Sequence, residues 1–295
     1  MAWRGLHLTE PARLALGDGQ MVVARAAGEV RLALEDLAWV VIDTPQASLS
    51  SALLASCMEA GIALVTTDPR HTPNGLLLPF HRHHRQAEVA AWQVGASAPL
   101  RKRLWQIMVR AKITNQAATL ERCGGDGKAL RAMARLVGSG DADNVEARAA
   151  RAYWAALFPA FVRDNTADKR NKLLNYGYAV IRAAVARGAV AAGLLPALGL
   201  HHASAANAFN LADDLVEPFR PFVDTVVWEL SAGGTQAAGE ASLSDRRILA
   251  AIPTREARLG RDRMTLLSAS EMVAESLVRA LESGSAAALR LPAPA

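Results

Sequence analysis

Residues 199–224 read GLHHASAANAFNLADDLVEPFRPFVD. Two adjacent histidines, His201 and His202, are followed by Glu217, 15 positions after the second. Asn207, Asn210, Asp213 and Asp214 lie between them, and Arg220 and Asp224 lie beyond. Imidazole with carboxylate oxygens suits Mg²⁺, Mn²⁺ or Zn²⁺, and the carboxylates favour the harder ions. Leu211, Leu215, Val216 and Phe219 are spaced for the buried face of a helix. Asp213 and Glu217 are four residues apart and Asp214 and Glu217 three, so either pair can share one helical face. The stretch therefore predicts a polar wall carried on helix. Structural histidines among solvated acids are the alternative, and a metal site needs a third ligand from elsewhere.

Working outward, residues 143–154, DNVEARAARAYW, supply that candidate. Glu146, Ala149, Ala150 and Tyr153 share one face, and the alanines leave room for another element to approach the carboxylate. Asp143 and Glu146 also have capping-box spacing, so the glutamate is equally suited to finishing the helix start.

The 295 residues are half hydrophobic and long enough for two domains. The net charge of +5 is unevenly spread: residues 1–95 carry −2, 96–190 carry +10 and the remainder −3. A basic field beside an acidic, metal-capable cleft suits a polyanion better than a neutral small molecule. Cys57 and Cys123 form no CxxC pair, which argues against structural zinc or a disulfide scaffold and fits a reducing cytoplasm. No signal-peptide pattern opens the chain and no apolar run reaches 18 residues, so neither secretion nor a membrane partner is expected.

Residues 3–45 are strand-like, with a hairpin turn at 17–20; a helix is expected over 48–60, capped by Ser48 or Ser50, and a strand over 62–66. From about residue 98 the periodicity becomes helical, over 99–111, 113–121, 128–136, 173–185 and 271–281. The expected architecture is two-domain α+β: a small β-rich domain with its linker at 1–95, a larger all-α domain at 96–282 and a flexible tail at 283–295. His81, His83 and His84 mark the boundary segment; they lack an acidic or cysteine partner nearby, which favours nucleic-acid contact over metal. Candidate phosphate contacts in the basic third are Arg101, Lys102, Arg103, Arg110, Lys112, Arg163, Lys169, Arg170 and Lys172, with Arg246 and Arg247 further on. A hydrated charged surface is the alternative for these.

The segments EARAARAYW (146–154), NYGY (175–178) and GLHHxxxxNxFNLADDLVEPFRPFVD (199–224) resemble the CRISPR-associated integrase that inserts new spacers into the repeat array, in the third case the version found in type II systems. The resemblance in order and spacing extends over almost the whole chain. It implies an N-terminal β-rich dimerisation domain, a helical catalytic domain, and a Mg²⁺ or Mn²⁺ site whose glutamate, histidine and second acid fall on Glu146, His202 and Glu217. His202 is preferred to His201 because it closes the Gly-x-x-His pattern that begins at Gly199. The implied partners are double-stranded DNA (spacer precursor and repeat array), a second copy of the chain, and a small ferredoxin-like companion that bridges two dimers. Transient association with the type II interference nuclease is implied as well. His201, Asn207, Asn210, Asp213, Asp214, Arg220 and Tyr153 become supporting or DNA-facing residues. A phosphohydrolase acting on nucleotides, which needs no broad basic face, and a non-catalytic DNA-bridging protein, in which Glu146 is only a cap, are the competing classes.

Overall fold

The computed structural model describes residues 2–80, 83–231, 233 and 239–295. His81 therefore lies outside the described residues. The N-terminal domain contains β1 (Arg4–Leu8), β2 (Ala12–Gly17), β3 (Gln20–Arg25), β4 (Gly28–Ala33), β5 (Leu37–Ile42), β6 (Ala47–Leu49), α1 (Ser51–Ala60), β7 (Ala63–Thr67) and β8 (Pro73–Leu77). One sheet has the order β1-β5-β7-β8, parallel except for β8; the other is β4-β3-β2-β6. The β2–β3 turn places Asp18 and Gly19 at positive φ, 52° and 73°, the pair of left-handed residues that a tight two-residue hairpin demands. Ser50 caps α1 by accepting from Leu53 N–H.

β5, LAWVVI, is buried throughout because it works on both faces. Val40 and Ile42 join Leu14, Met21, Leu53 and Leu64 in the core of the small domain, while Trp39 and Val41 join the core of the helical domain. Trp39 Nε1 donates to Ala250 O at 3.0 Å across that seam, and Arg187 Nε donates to Gly61 O at 2.7 Å.

The larger domain comprises α2 (Gln86–Gly95), α3 (Ala98–Arg122), α4 (Lys128–Leu136), α5 (Val145–Leu157), α6 (Lys169–Ala191), α7 (Asn210–Val216), α8 (Arg220–Leu230), α9 (Leu243–Ala250), β9 (Glu256–Leu259), β10 (Asp262–Thr265) and α10 (Leu266–Ser283). α2 docks on the helical side, with Gln93 Nε2 on the carbonyls of Leu195 and Leu198 at 3.0 and 2.6 Å, whereas the sequence reading groups it with the small domain. α3 runs unbroken through both segments expected there. Buried residues occupy nearly its whole circumference, so it is the central post of the domain. α6 is the second such post.

Two further features depart from expectation. The β9–β10 hairpin turns at Gly260, φ 69°, inside the helical domain. The C-terminal tail is packed rather than frayed: Ala286 and Leu289 are buried, and Ala293 exchanges both backbone hydrogen bonds with Arg258. Among the described residues no helix is long and apolar enough to cross a membrane.

Candidate active site

Four helical segments converge where α3, α5 and the α7–α8 passage meet. α7 leads into a 3₁₀ turn, Glu217–Phe219, and then into α8. Pro218 and Pro221 cannot donate to the helical ladder, so the chain tightens and Arg220 N–H bonds Glu217 O instead. Side chains of α3 meet the carbonyls left at the break: Asn115 Nδ2 donates to Pro218 O at 2.8 Å and Thr119 Oγ1 to Pro221 O at 3.1 Å. Lys112, on the same face of α3, reaches Glu217 itself.

Glu146 stands in the first turn of α5. The cap of that helix is Asp141, whose carboxylate accepts from Val145 N and Glu146 N, both at 3.0 Å. Asp143 is exposed and takes no part, so the capping-box alternative for Glu146 is removed and its side chain turns inward. Lys112 Nζ lies 2.5 Å from Glu146 Oε1 and 2.5 Å from Glu217 Oε2. The contact with Glu217 is one of charge, since Oε2 is buried without a hydrogen-bond partner. Arg220 Nε lies 3.1 Å from Glu217 Oε1, and its guanidinium covers the Tyr178 ring. Burial works against ionisation of Glu217, but Lys112 and Arg220 outweigh it and hold the carboxyl below its usual range. The same contest runs in Lys112: burial disfavours the ammonium, Glu217 and Glu146 restore it, and its pKa ends raised.

His202 is placed by Asp214, which is fully buried. Asp214 Oδ2 accepts from Leu200 N at 2.5 Å and His201 N at 3.1 Å, and Oδ1 accepts from His202 N at 3.1 Å. Oδ1 also lies 2.7 Å from His202 Nδ1. A carboxylate there accepts from Nδ1–H, and in the neutral ring that tautomer places the lone pair on Nε2. The Asp214 hydrogen bond raises the His202 pKa against the opposing effect of burial, and Glu217 adds to the rise. Gly199 makes the turn possible, since a Cβ there would meet His202 O at 2.2 Å. Trp105 completes the setting: its ring stacks on His201, centroids 4.1 Å apart, and meets His202 edge-on at 5.8 Å.

The other polar residues of the stretch are structural partners of one another. Asp213 pairs with Arg182 of α6 at 2.5 and 3.0 Å and accepts from Asn207 Nδ2 at 2.6 Å. Asn210 is buried and donates to the carbonyls of Ala197, Ser204 and Asn207. Tyr153 is buried and donates to Asp224, so it does not face DNA.

Five of the candidate DNA contacts are committed to partners within the chain, Lys172 among them through Glu240 at 2.5 Å. Lys112 is buried between the two glutamates. Arg170 is buried, paired with Asp168 and donating to Pro159 O. Arg246 is buried on Asp43 at 2.8 Å, and Lys169 pairs with Asp245 at 2.8 Å. Arg110 remains exposed although its guanidinium holds Val137 O. Arg101, Lys102, Arg103 and Arg247 are exposed. Arg163 and Lys172 line a groove of about 800 Å³ together with Arg70, His71, Tyr176 and Arg220. Arg220 thus belongs both to this groove and to the Glu217 pair.

Trp105, Asp141, Arg182 and the part played by Lys112 escape a linear reading. A signal for Lys112 does exist: Lys112, Asn115 and Thr119 form a polar stripe at helical spacing.

Among the described residues no group of three or more His, Cys, Asp or Glu side chains is arranged to hold a metal ion. The donor chemistry nevertheless fits a hard divalent cation. Two carboxylates already converge on one cationic point, the buried Glu217 Oε2 meets only the Lys112 ammonium, and the neutral Nδ1–H form of His202 would present an Nε2 lone pair.

The chain is thus a β-sheet N-terminal unit followed by a larger helical unit in which two glutamates from different helical segments meet on one buried lysine. The profile of the family described as "CRISPR associated protein Cas1" matches residues 6–249. The CRISPR-associated endonuclease Cas1 of Neisseria meningitidis serogroup C is 42% identical over 236 residues, covering 79% of this chain and 78% of that protein. In fold, a casposase bound to integration product matches with a TM-score of 0.76 at 16% identity, over 97% of this chain and 92% of that one. A Cas6-RT-Cas1–Cas2 complex matches with a TM-score of 0.74 at 17% identity, over 97% of this chain and 36% of that one. The chain belongs to the Cas1 family, the nuclease and integrase family of CRISPR adaptation.

Proposed function

We propose that this protein is a divalent-metal-dependent DNA endonuclease and strand transferase that joins 3′-hydroxyl ends of spacer DNA to the repeat array. The observation that carries the reading is the convergence of Glu146 and Glu217 on one cationic point beside His202. Glu146, His202 and Glu217 would hold Mg²⁺ or Mn²⁺, which supplies Lewis-acid stabilisation of charge on the phosphodiester. Asp214 keeps the His202 ring oriented with Nε2 available, and Trp105 limits its rotation. Arg220 balances Glu217 and presents a guanidinium to the groove, where Arg163 adds phosphate-binding charge. In joining, the incoming 3′-oxygen forms a bond to phosphorus, the backbone P–O bond breaks, and the proton ends on the leaving 3′-oxygen. With water as nucleophile the same centre hydrolyses DNA.

The N-terminal domain is assigned to homodimerisation, and a small ferredoxin-like companion to bridging two dimers; the Cas1–Cas2 pairing in the similar complex supports the companion. The type II assignment, with its interference nuclease as a transient partner, rests on the motif at 199–224. The reaction takes place in the cytoplasm, where the repeat array lies.

The test mixes protein, Mn²⁺ or Mg²⁺ and a branched DNA that mimics a half-integrated spacer. Metal-dependent strand transfer by wild type, lost in Glu146→Ala and His202→Ala despite normal folding and DNA binding, is the expected result. Full activity of either variant overturns the ligand assignment.

A further inference from the structure

Lys112 offers a role that neither the motif nor the metal chemistry requires. Its ammonium touches both glutamates at 2.5 Å, and its side chain is only 11% exposed, against 6% for Glu217. Two carboxylates that share a largely buried point repel one another unless a cation lies between them. Lys112 and Arg220 match the two negative charges one for one, so the pair of glutamates is already neutralised by the chain itself. A divalent ion bound by Glu146 and Glu217 would occupy the same electrostatic position as the ammonium.

We propose that Lys112 is a resident exchangeable cation: it holds Glu146 and Glu217 in register and is displaced when the divalent ion loads. This deepens, and rests on, the metal-dependent reading given above. The residue type fits the task. The chain has 28 arginines and only 5 lysines, yet the position between the carboxylates is held by lysine. An ammonium is a compact point charge on four rotatable bonds and can leave by changing rotamer, whereas a guanidinium fork would pair bidentately and stay. Asn115 and Thr119, one and two turns further along the same face, keep the Glu217-bearing turn fixed on α3 through Pro218 O and Pro221 O. The metal ligands therefore remain mounted when the ammonium leaves.

Exchange has a measurable consequence. While the ammonium occupies the site, only the small fraction of molecules with Lys112 swung out can take metal, and the apparent dissociation constant is raised by that fraction. Mn²⁺ binding to wild type, Lys112→Met and Lys112→Arg is followed by the loss of free Mn²⁺ electron-spin-resonance signal, and melting is recorded with and without Mn²⁺. Lys112→Met is expected to bind Mn²⁺ roughly tenfold more tightly, to melt lower than wild type without metal, and to gain more from added Mn²⁺. Lys112→Arg is expected to fold normally and bind Mn²⁺ more weakly than wild type, which keeps the test open should the methionine variant fail to fold. Unchanged or weaker Mn²⁺ binding by a folded Lys112→Met, or an arginine variant that binds as wild type does, overturns the exchange while leaving the metal site standing. Absence of Mn²⁺ binding in all three, or binding that persists in Glu146→Gln, removes the metal reading and the exchange with it.

Discussion

Tyr153 Oη donates a 2.8 Å hydrogen bond to Asp224 Oδ2, and each partner stands seven positions after a candidate ligand, Tyr153 after Glu146 and Asp224 after Glu217. The bond therefore ties α5 to α8 at equal removes from the site, and fixes the distance between the two glutamates from behind. Tyr178 of α6 donates to the other oxygen of Asp224, which draws a third helix into the same knot.

Asp224 makes that knot sensitive to pH. Burial pushes its carboxyl up to about 6 from the usual 3.8, even though the two tyrosines and nearby arginines favour the anion. A group whose pKa rises on folding stabilises the fold below its unfolded pKa, and that contribution is lost as pH climbs through the folded value. The shift corresponds to about 3 kcal/mol between pH 4 and pH 7. Urea unfolding of wild type and Asp224→Asn across this range should show the wild-type advantage shrinking by about that amount. A constant difference would mean that Asp224 ionises freely.

Asp214→Asn should uncouple His202 from the fold. An amide can accept at one oxygen only, and its NH₂ group would face the Leu200 and His201 N–H donors that Asp214 Oδ2 now satisfies. Loss of such a support costs roughly 10–100-fold in metal affinity or rate. The expected outcome is weakened Mn²⁺ binding and slower strand transfer while DNA affinity stays unchanged; loss of DNA affinity in equal measure would assign Asp214 to the nucleic-acid surface instead.

The Gly-x-x-His pattern can be recognised in the sequence, but its physical reason cannot, because Gly199 meets His202 O and the Asp214 carboxylate only in the folded turn. Gly199→Ala should accordingly lower the strand-transfer rate severely, with circular dichroism and DNA binding close to wild type. Retained activity would show that the turn can widen without moving His202.

The same distinction separates what was legible along the chain from what was not. Strand alternation, the Asp18–Gly19 turn and the long apolar periodicities of α3, α6 and α10 are local signals, and the two-domain architecture follows from them. The β9–β10 hairpin escaped because each strand has four residues and arginines interrupt the alternation, although Gly260 marks the turn. The cap of α5 escaped because Asp141 reaches forward to residues four and five positions on, beyond capping-box spacing. Charge was the least legible property. Lys112, Arg170 and Arg246 look like their exposed neighbours in sequence, and only tertiary contacts show that their charges face inward.

Arg246 and the Arg101–Arg103 run should therefore separate in experiment. Asp43 is buried and accepts from Arg246 Nε at 2.8 Å, with His7 Nε2 at 2.9 Å and His71 Nδ1 at 2.7 Å completing its shell. Burial opposes ionisation, but these partners hold the carboxyl at about 2. A depressed carboxyl contributes stability above its unfolded pKa, here about 2 kcal/mol, which is lost as pH falls from about 4 through 2. Arg246 comes from α9 and Asp43 from the end of β5, so the pair joins the two domains. Arg246→Met leaves a buried carboxylate without its permanent cation and should cost roughly 3–5 kcal/mol at pH 7, measured by urea unfolding. Its effect on DNA binding, in samples that remain folded, should not change with salt concentration. Replacing Arg101, Lys102 and Arg103 with alanine should do the reverse: stability stays within about 0.5 kcal/mol for exposed positions, while the slope of log K against log salt falls by about 0.9 for each phosphate contact removed. A triple variant with an unaltered salt slope would place the DNA on another face, and the groove between Arg163, Lys172 and Arg220 would then carry the electrostatic binding.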